Sequence, residues 1–347
     1  MYDISQIDKN FEVKHELNIP DMKFWDVDEA PFRVYGIFRE NGKYRRMPES
    51  VAQSVSESVL ALHANTAGGR VRFMTDSSYV AIHAEMDGIG KMPHFALVGT
   101  GGFDLYADGV FIKSYIPPYD MEVGYESVIS LGTSKMREIT IHFPLYSNVK
   151  QLYIGLFEGA IVKEASPYKN KKPVVYYGSS ITQGGCASRP GMSYQNIVSM
   201  RLGINHINLG FSGSAMAEDT IIDYIKSLDM SVFVYDYDYN APTLEHYEKT
   251  HEKMFLAIRE VNPELPIVMM NRPQFYLSED GQRRLAIMKK TYRNAINNGD
   301  KNVYCIDNMA LTALCGNDGT VDNVHPTDFG FASMANAVCE VLKTILK

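Results

Sequence analysis

Two short stretches of the chain carry residue types that can do covalent chemistry. The first, Val174-Val-Tyr-Tyr-Gly-Ser-Ser-Ile-Thr-Gln-Gly-Gly-Cys-Ala-Ser-Arg-Pro-Gly191, starts as four β-favouring residues and passes into glycines and hydroxyls. Two adjacent serines, Ser179 and Ser180, stand where that strand must stop. The second, Thr320-Val-Asp-Asn-Val-His-Pro-Thr-Asp-Phe-Gly330, places Asp322 three residues before His325. A serine becomes a useful nucleophile when a base accepts its proton and a third group holds that base in the right tautomer. One short turn can bring the Asp322 carboxylate onto the imidazole, and Pro326 stiffens the loop behind it. Alone, an Asp-x-x-His is more often a turn residue and a surface histidine. Paired with the serine stretch, it points to acyl-transfer chemistry.

The remaining histidines are weaker candidates. His15, His63, His83, His94 and His142 lie in the N-terminal half, where His83 and His142 sit on alternating segments and are expected to face solvent. His206 opens a strand, and His246 and His251 belong to a charged helical stretch expected to be solvated.

The elements that position the two stretches follow from periodicity. After a polar linker, Lys163-Glu-Ala-Ser-Pro-Tyr-Lys-Asn-Lys-Lys172, strands alternate with amphipathic helices. Strands are predicted at Val174–Tyr177, His206–Leu209, Ser231–Tyr237, Pro266–Met270 and Val303–Ile306, and helices at Tyr194–Leu202, Thr220–Ser227, Leu244–Val261, Gly281–Asn297 and Phe331–Leu346. That order predicts an α/β domain with a mostly parallel sheet covered on both faces. Ligands of such sheets bind beyond the carboxyl ends of the strands, which is where Ser179 and Ser180 fall.

From about residue 31 to 160 the period is two, as in Val80, Ile82 and Ala84 against Tyr79, His83 and Glu85. Turn signals punctuate it, Glu40-Asn41-Gly42-Lys43 and Asp108-Gly109 among them. Many short strands without helical stretches predict an all-β sandwich or jelly roll. The expected domains are therefore residues 1–165 and 173–347.

Composition excludes several function classes. A net charge of −7, with no basic run beyond Lys169 to Lys172, argues against a nucleic-acid partner. No apolar run approaches the roughly 18–20 residues of a membrane span, and the N-terminus shows no signal-peptide pattern. Cys186, Cys305, Cys315 and Cys339 have no C-x-x-C spacing, so a reduced cytoplasm is the expected location. No H-E-x-x-H, cysteine cluster or acidic Ca²⁺ loop is present, and Gly178 to Gly185 lacks both the P-loop Lys and the G-x-G-x-x-G spacing. No metal and no cofactor are expected.

At this point the residues carry a resemblance. Gly178-Ser179-Ser180-Ile181-Thr182 resembles the first block of the SGNH (GDSL-type) hydrolases, and Asp322-Asn323-Val324-His325-Pro326 their last. Asn208-Leu-Gly-Phe-Ser-Gly213 is similar to the block that supplies the family's glycine, and Asp238-Tyr239-Asn240 occupies the place of its G-x-N-D block. Gly102-Phe103-Asp104-Leu105-Tyr106 matches the G-x-D-L-Y signature of the branch in which a β-sandwich precedes the hydrolase domain. The sequence departs from the pattern in Ser179, where an aspartate is usual, and in Asp238 and Ala241, which replace the glycine and aspartate of the third block.

The resemblance implies a flavodoxin-like three-layer α/β/α hydrolase domain behind the sandwich. By its register Ser180 is the nucleophile, His325 the general base and acid, and Asp322 the orienting carboxylate. The backbone N–H groups of Ser180 and Gly213 and the side-chain amide of Asn240 form the oxyanion hole; glycine permits close backbone approach and an amide donates without adding charge. Arg189 either contacts substrate or anchors its loop. Tyr235, Tyr237 and Tyr239 either line a cleft or belong to the core, and Asp104 and Tyr106 read as turn and packing residues of the sandwich. The expected activity is a serine esterase removing small acyl groups, O-acetyl groups on carbohydrate foremost, so the expected partner is a small-molecule or oligosaccharide ester. The alternatives are a lipase or acyl-thioesterase and a carbohydrate-binding protein with impaired catalysis. The oligomeric state is left open.

Overall fold

The computed structural model describes residues 4–13, 17 and 19–346; His15 lies outside them. In the C-terminal part, β1 (Val174–Gly178), β2 (His206–Gly210), β3 (Val232–Asp236), β4 (Ile267–Met270) and β5 (Val303–Ile306) form a five-stranded sheet in the order β2-β1-β3-β4-β5, parallel throughout. Around it run α1 (Ser180–Gln183), α2 (Tyr194–Leu202), α3 (Asp219–Ser227), α4 (Leu244–Val261), α5 (Glu279–Asn297) and α6 (Asp328–Ile345). Successive strand residues serve opposite layers. Val175, Tyr177, Phe233 and Tyr235 pack with Ile221, Ile225, Met254, Ile258 and Met288 of α3, α4 and α5. Val174, Tyr176, Val232 and Val234 pack with Tyr194, Val198, Met334 and Val338 of α2 and α6. Both faces are covered, so the strands read as apolar runs rather than alternation. The result is the expected three-layer α/β/α arrangement, with the strand order reversing between β1 and β3, where a ligand crevice opens in such sheets.

Helix starts differ slightly from expectation where caps decide them. The α5 helix begins at Glu279 because the Ser278 side chain accepts the Gly281 N–H. His251 corrects the expectation of solvation: it is buried, on the α4 face that also presents Tyr247, Met254, Phe255 and Ile258. Its Nδ1 lies 2.9 Å from Thr291 Oγ1, and burial pushes the imidazole down to about 3.

The N-terminal part is an antiparallel sandwich. One sheet orders Met22–Asp26, Val149–Phe157, Tyr79–Met86 and Gly124–Ser130. In the other, Val162–Lys163 and Arg33–Tyr35 share one edge of Arg70–Thr75, whose opposite edge pairs Arg137–His142, followed by Phe103–Ala107 and Val110–Tyr115. Val80, Ile82, Ile139 and Ile141 fill its core, as their alternation requires. Asn41 and Gly42, and likewise Asp108 and Gly109, take positive φ in two-residue hairpin turns.

Two expectations fail here. Glu49–Val55 and Glu57–Leu62 are helices, and Met47, Ala52 and Val59 join the hydrolase-side core with α3. Their apolar residues, Val51, Ala52, Val55, Val59 and Leu62, have helical spacing that the surrounding period-two pattern masks. His142 does not face solvent: it is fully buried, with burial holding it near 3, because the outer face of the second sheet is covered by the C-terminal domain. From the neighbouring strand Arg70 donates to the carbonyl of Gly68 and, across that junction, to the carbonyl of His206. Arg70 also bonds the linker's Tyr168 hydroxyl at 2.9 Å. His83, by contrast, is half-exposed and sits 2.7 Å from Glu126.

Candidate active site

The nucleophile turn is built by local rules. β1 ends at Gly178, Ser179 is the N-cap of α1 with its Oγ accepting the Ile181 N–H at 3.2 Å, and Ser180 is the first helical residue. Gly184 closes the turn at φ 105°. Aspartate and serine are comparable N-caps, so Ser179 can start this helix as the aspartate expected from the family resemblance would. Gly178 is obligatory because a Cβ would lie 1.8 Å from Asp236 Oδ1 and 2.4 Å from Thr182 Oγ1. Those two atoms are bonded to each other beneath the turn. Burial holds the Asp236 carboxyl up at about 8, the Thr182 hydroxyl and Ser179 N–H opposing that push.

Ser180, Asp322 and His325 come together. Ser180 Oγ is 2.9 Å from His325 Nε2, and His325 Nδ1 is 2.7 Å from Asp322 Oδ2. The other Asp322 oxygen accepts the backbone N–H of His325 at 2.7 Å and of Val324 at 3.0 Å, so one carboxylate both folds its loop and grips the ring. Burial works against the charge, but the His325 ring and these N–H donors outweigh it and hold Asp322 at about 2. An ionised carboxylate only accepts hydrogen bonds, so Nδ1 carries the proton and the Nε2 lone pair faces Ser180.

The expected oxyanion donors surround the same strand ends. Gly213 has φ 68° and open space where a Cβ would be, so backbone conformation rather than crowding selects glycine. Its loop is tied to the nucleophile turn by Phe211 N–H to Gly178 O at 2.8 Å and by Ser212 N–H to Gln183 Oε1 at 3.0 Å. Asn240 follows β3, and its Oδ1 accepts the Ala215 N–H at 3.1 Å, which fixes the amide with its NH₂ on the opposite side. Asp238, standing in for the family glycine, is buried and accepts from Arg272 Nε at 2.8 Å and Asn271 Nδ2 at 3.1 Å. Arg284 donates to the carbonyls of Asp238 and Ala241. Two arginines thus clamp the turn that carries Asn240. Tyr235 and Tyr237 are core residues, whereas Tyr239 is half-buried against the Arg272 guanidinium, 4.1 Å from ring centre to Cζ.

The sandwich contributes more than sequence reasoning found. Arg46, 1% exposed, donates to the carbonyls of Leu62, Asn65, Asn208 and Gly210, bracing the end of β2. Tyr146 Oη donates to the Ser180 carbonyl at 3.3 Å, and Gln183 Nε2 donates to Asn65 Oδ1 at 3.0 Å. Arg189 anchors its loop: its Nη1 reaches Asp104 at 2.7 Å and the Tyr106 hydroxyl at 2.8 Å, with Phe111 stacked 3.7 Å from the guanidinium. Asp104 is fully buried and also accepts from Gly191 N–H and Ser114 Oγ, each at 2.7 Å. Its three donors pull against the upward push of burial on its carboxyl. The G-x-D-L-Y signature was the available signal, and its aspartate and tyrosine are the points where the sandwich grips the loop after the nucleophile. His94, also from the sandwich, places its Nε2 4.0 Å from Asp322 Oδ2.

A flavodoxin-like sheet with a serine, histidine and aspartate aligned at its switch point is the arrangement of an SGNH-type hydrolase. Residues 171–343 match the GDSL-like lipase/acylhydrolase family, residues 22–162 match the N-terminal domain of SGNH-hydrolase-type esterases, and the chain belongs to this family. Among solved structures, a protein described as a GDSL-like lipase from Bacteroides ovatus is 27% identical, with TM-score 0.83 over 94% of this chain and 98% of its own. The salicylyl-acyltransferase of a tetracycline biosynthetic pathway is 18% identical, with TM-score 0.77 over 94% and 98%. An acetyl xylan esterase from the rumen bacterium Butyrivibrio proteoclasticus, 11% identical, has TM-score 0.58 over 93% and 98%. No curated protein matches the sequence. Among the described residues, no helix is long and apolar enough to cross a membrane.

Proposed function

We propose that the protein is a serine esterase that removes small acyl groups, O-acetyl groups on carbohydrate above all. The observation that carries this reading is the hydrogen-bonded chain from Ser180 Oγ through His325 to Asp322, 2.9 Å and 2.7 Å long. As the acyl carbonyl seats against Ser180, His325 Nε2 takes the hydroxyl proton and Oγ bonds to the carbonyl carbon. The charge that develops on the carbonyl oxygen is met by the N–H groups of Ser180 and Gly213 and the Asn240 amide. Imidazolium then returns its proton to the departing sugar oxygen, leaving an acyl-serine. A water deprotonated by the same nitrogen attacks that ester, and acetate leaves as Ser180 regains its proton. Asp322 stays ionised throughout and stabilises the charged ring.

The acetyl xylan esterase that shares the two-part fold supports a carbohydrate substrate by analogy of fold alone. Acetate release from a panel of acetylated oligosaccharides, beside chromogenic esters of increasing acyl length, tests the reading. Turnover falling as the acyl chain grows past acetyl is expected. A preference for long acyl chains moves the function to a lipase or thioesterase, and turnover equal to that of Ser180→Ala leaves a binding protein.

A further inference from the structure

Three metal-binding side chains converge beside Ser180 from three separate segments. His94 lies in the sandwich loop pinned by the Met92 and Phe95 bridge, Cys186 in the turn after α1 at φ 73°, and His325 in the loop before α6. One donor atom from each lies within 4.8 Å of the other two. Only one of the three is needed for acyl transfer.

We propose that His94, Cys186 and His325 form a site for a thiophilic divalent cation, zinc foremost, and that its occupancy shuts off the Ser180 hydroxyl. The donor chemistry fits such an ion: one thiolate with two imidazoles suits zinc and excludes hard, oxygen-seeking cations. His325 already has the environment of a metal-bound histidine. Its Nδ1–H is held by Asp322, which fixes the tautomer and leaves Nε2, now facing Ser180 Oγ, as the nitrogen with a lone pair to donate, as the carboxylate partner of a metal-ligating histidine does. The Asp322 carboxylate, 4.0 Å from His94 Nε2, adds negative charge beside the ion without being a ligand.

Tetrahedral zinc, with bonds of about 2.0–2.3 Å, sets its donors roughly 3.3–3.8 Å apart, so donors within 4.8 Å of one another need close in by no more than about 1–1.5 Å. His94, whose side chain is 44% exposed, has the freedom to make that movement. Cys186 is half-buried and becomes a ligand when the cation takes its proton's place, the proton leaving to solvent. The ion occupies the lone pair that would accept the Ser180 proton, so binding and turnover exclude each other. Metal binding does not depend on the hydrolase reading, whereas the inhibition does.

The experiment has two arms. In the Ser180→Ala protein, which has no nucleophile, titration with Cd²⁺ reads the thiolate-to-metal absorbance in the ultraviolet. One equivalent should saturate the band, Zn²⁺ should displace it, and Cys186→Ser in the same background should abolish it. A band that survives Cys186→Ser, or no band, overturns the site. In the second arm, Zn²⁺ should inhibit ester hydrolysis by the otherwise unmodified chain, a chelator should restore it, and Cys186→Ser and His94→Ala should each need at least ~10-fold more Zn²⁺ for half-inhibition. Inhibition unchanged by both substitutions overturns the proposal. A saturable band in a chain that hydrolyses no ester keeps the site and removes the hydrolase reading instead.

Discussion

Asp104→Ala tests whether the sandwich holds the loop that follows the nucleophile. The carboxylate is fully buried and receives Arg189 Nη1, the Gly191 N–H and Ser114 Oγ, all at 2.7 Å. Its removal strands the Arg189 guanidinium, whose side chain is only 19% exposed, without a counter-ion. Breaking a buried pair from one side costs about 3–5 kcal/mol, chiefly the penalty of the charge left behind. The Tyr106 hydroxyl and Phe111 ring still hold Arg189, which favours the lower end. With an unfolding entropy of roughly 2.1 cal/mol/K per residue over 347 residues, the melting temperature should fall by about 4–7 °C. The same loop bonds Ser188 to Asp328 at the start of α6, beside His325, so kcat/KM should fall with stability. The decisive comparison is Asp104→Ala/Arg189→Met, which removes the stranded charge and should melt above Asp104→Ala. Calorimetry of the two single variants and the double variant provides the cycle. An Asp104→Ala melting point within about 1 °C of the parent, or a double variant destabilised by the sum of the singles, refutes the reasoning.

Three further outcomes follow from the site. Asp322→Asn keeps an acceptor for the loop N–H groups but presents a donor to the ring, so kcat should fall by up to ~10⁴ with folding intact; undiminished ester hydrolysis would mean that Ser180 and His325 suffice. Asn240→Ala should lower kcat by about 10²–10³ with little change in KM; a change confined to KM in steady-state kinetics would remove Asn240 from the oxyanion hole. Asp236 keeps its proton up to about 8 in the folded chain, whereas unfolding releases it above roughly pH 4. The stability it contributes is complete below the unfolded value and is lost as pH rises through about 8. Asp236→Asn should therefore flatten the decline in melting temperature between about pH 5 and pH 8; parallel curves for parent and variant would contradict the buried protonated acid.

The parallel strands were legible because each is a short apolar run bounded by turn residues, and the helices between them because a buried face repeats along Tyr247, His251, Met254 and Ile258. That same face misled the reading of His251, since charged neighbours on the outer side hid its inward position. Ser180, Asp322 and His325 were legible because each occupies a strand-end or helix-entry loop with local turn chemistry. The loop around Asp322 folds on bonds spanning two and three residues. What sequence did not disclose acts over long separations. Arg46 reaches Gly210 across 164 positions and Arg189 reaches Asp104 across 85, and no local pattern encodes either partner. His142 was misplaced for the same reason: period two says that two faces differ, but not that a second domain covers the outer one.

The central claim is that Ser180 is the acyl acceptor. Mass spectrometry of the intact chain quenched during turnover of an acetyl ester should show one added acetyl group, mapped by fragmentation to Ser180. Ser180→Ala should lack it and lose at least ~10³ in kcat. Acetylation at another residue, or equal hydrolysis by Ser180→Ala, contradicts the account.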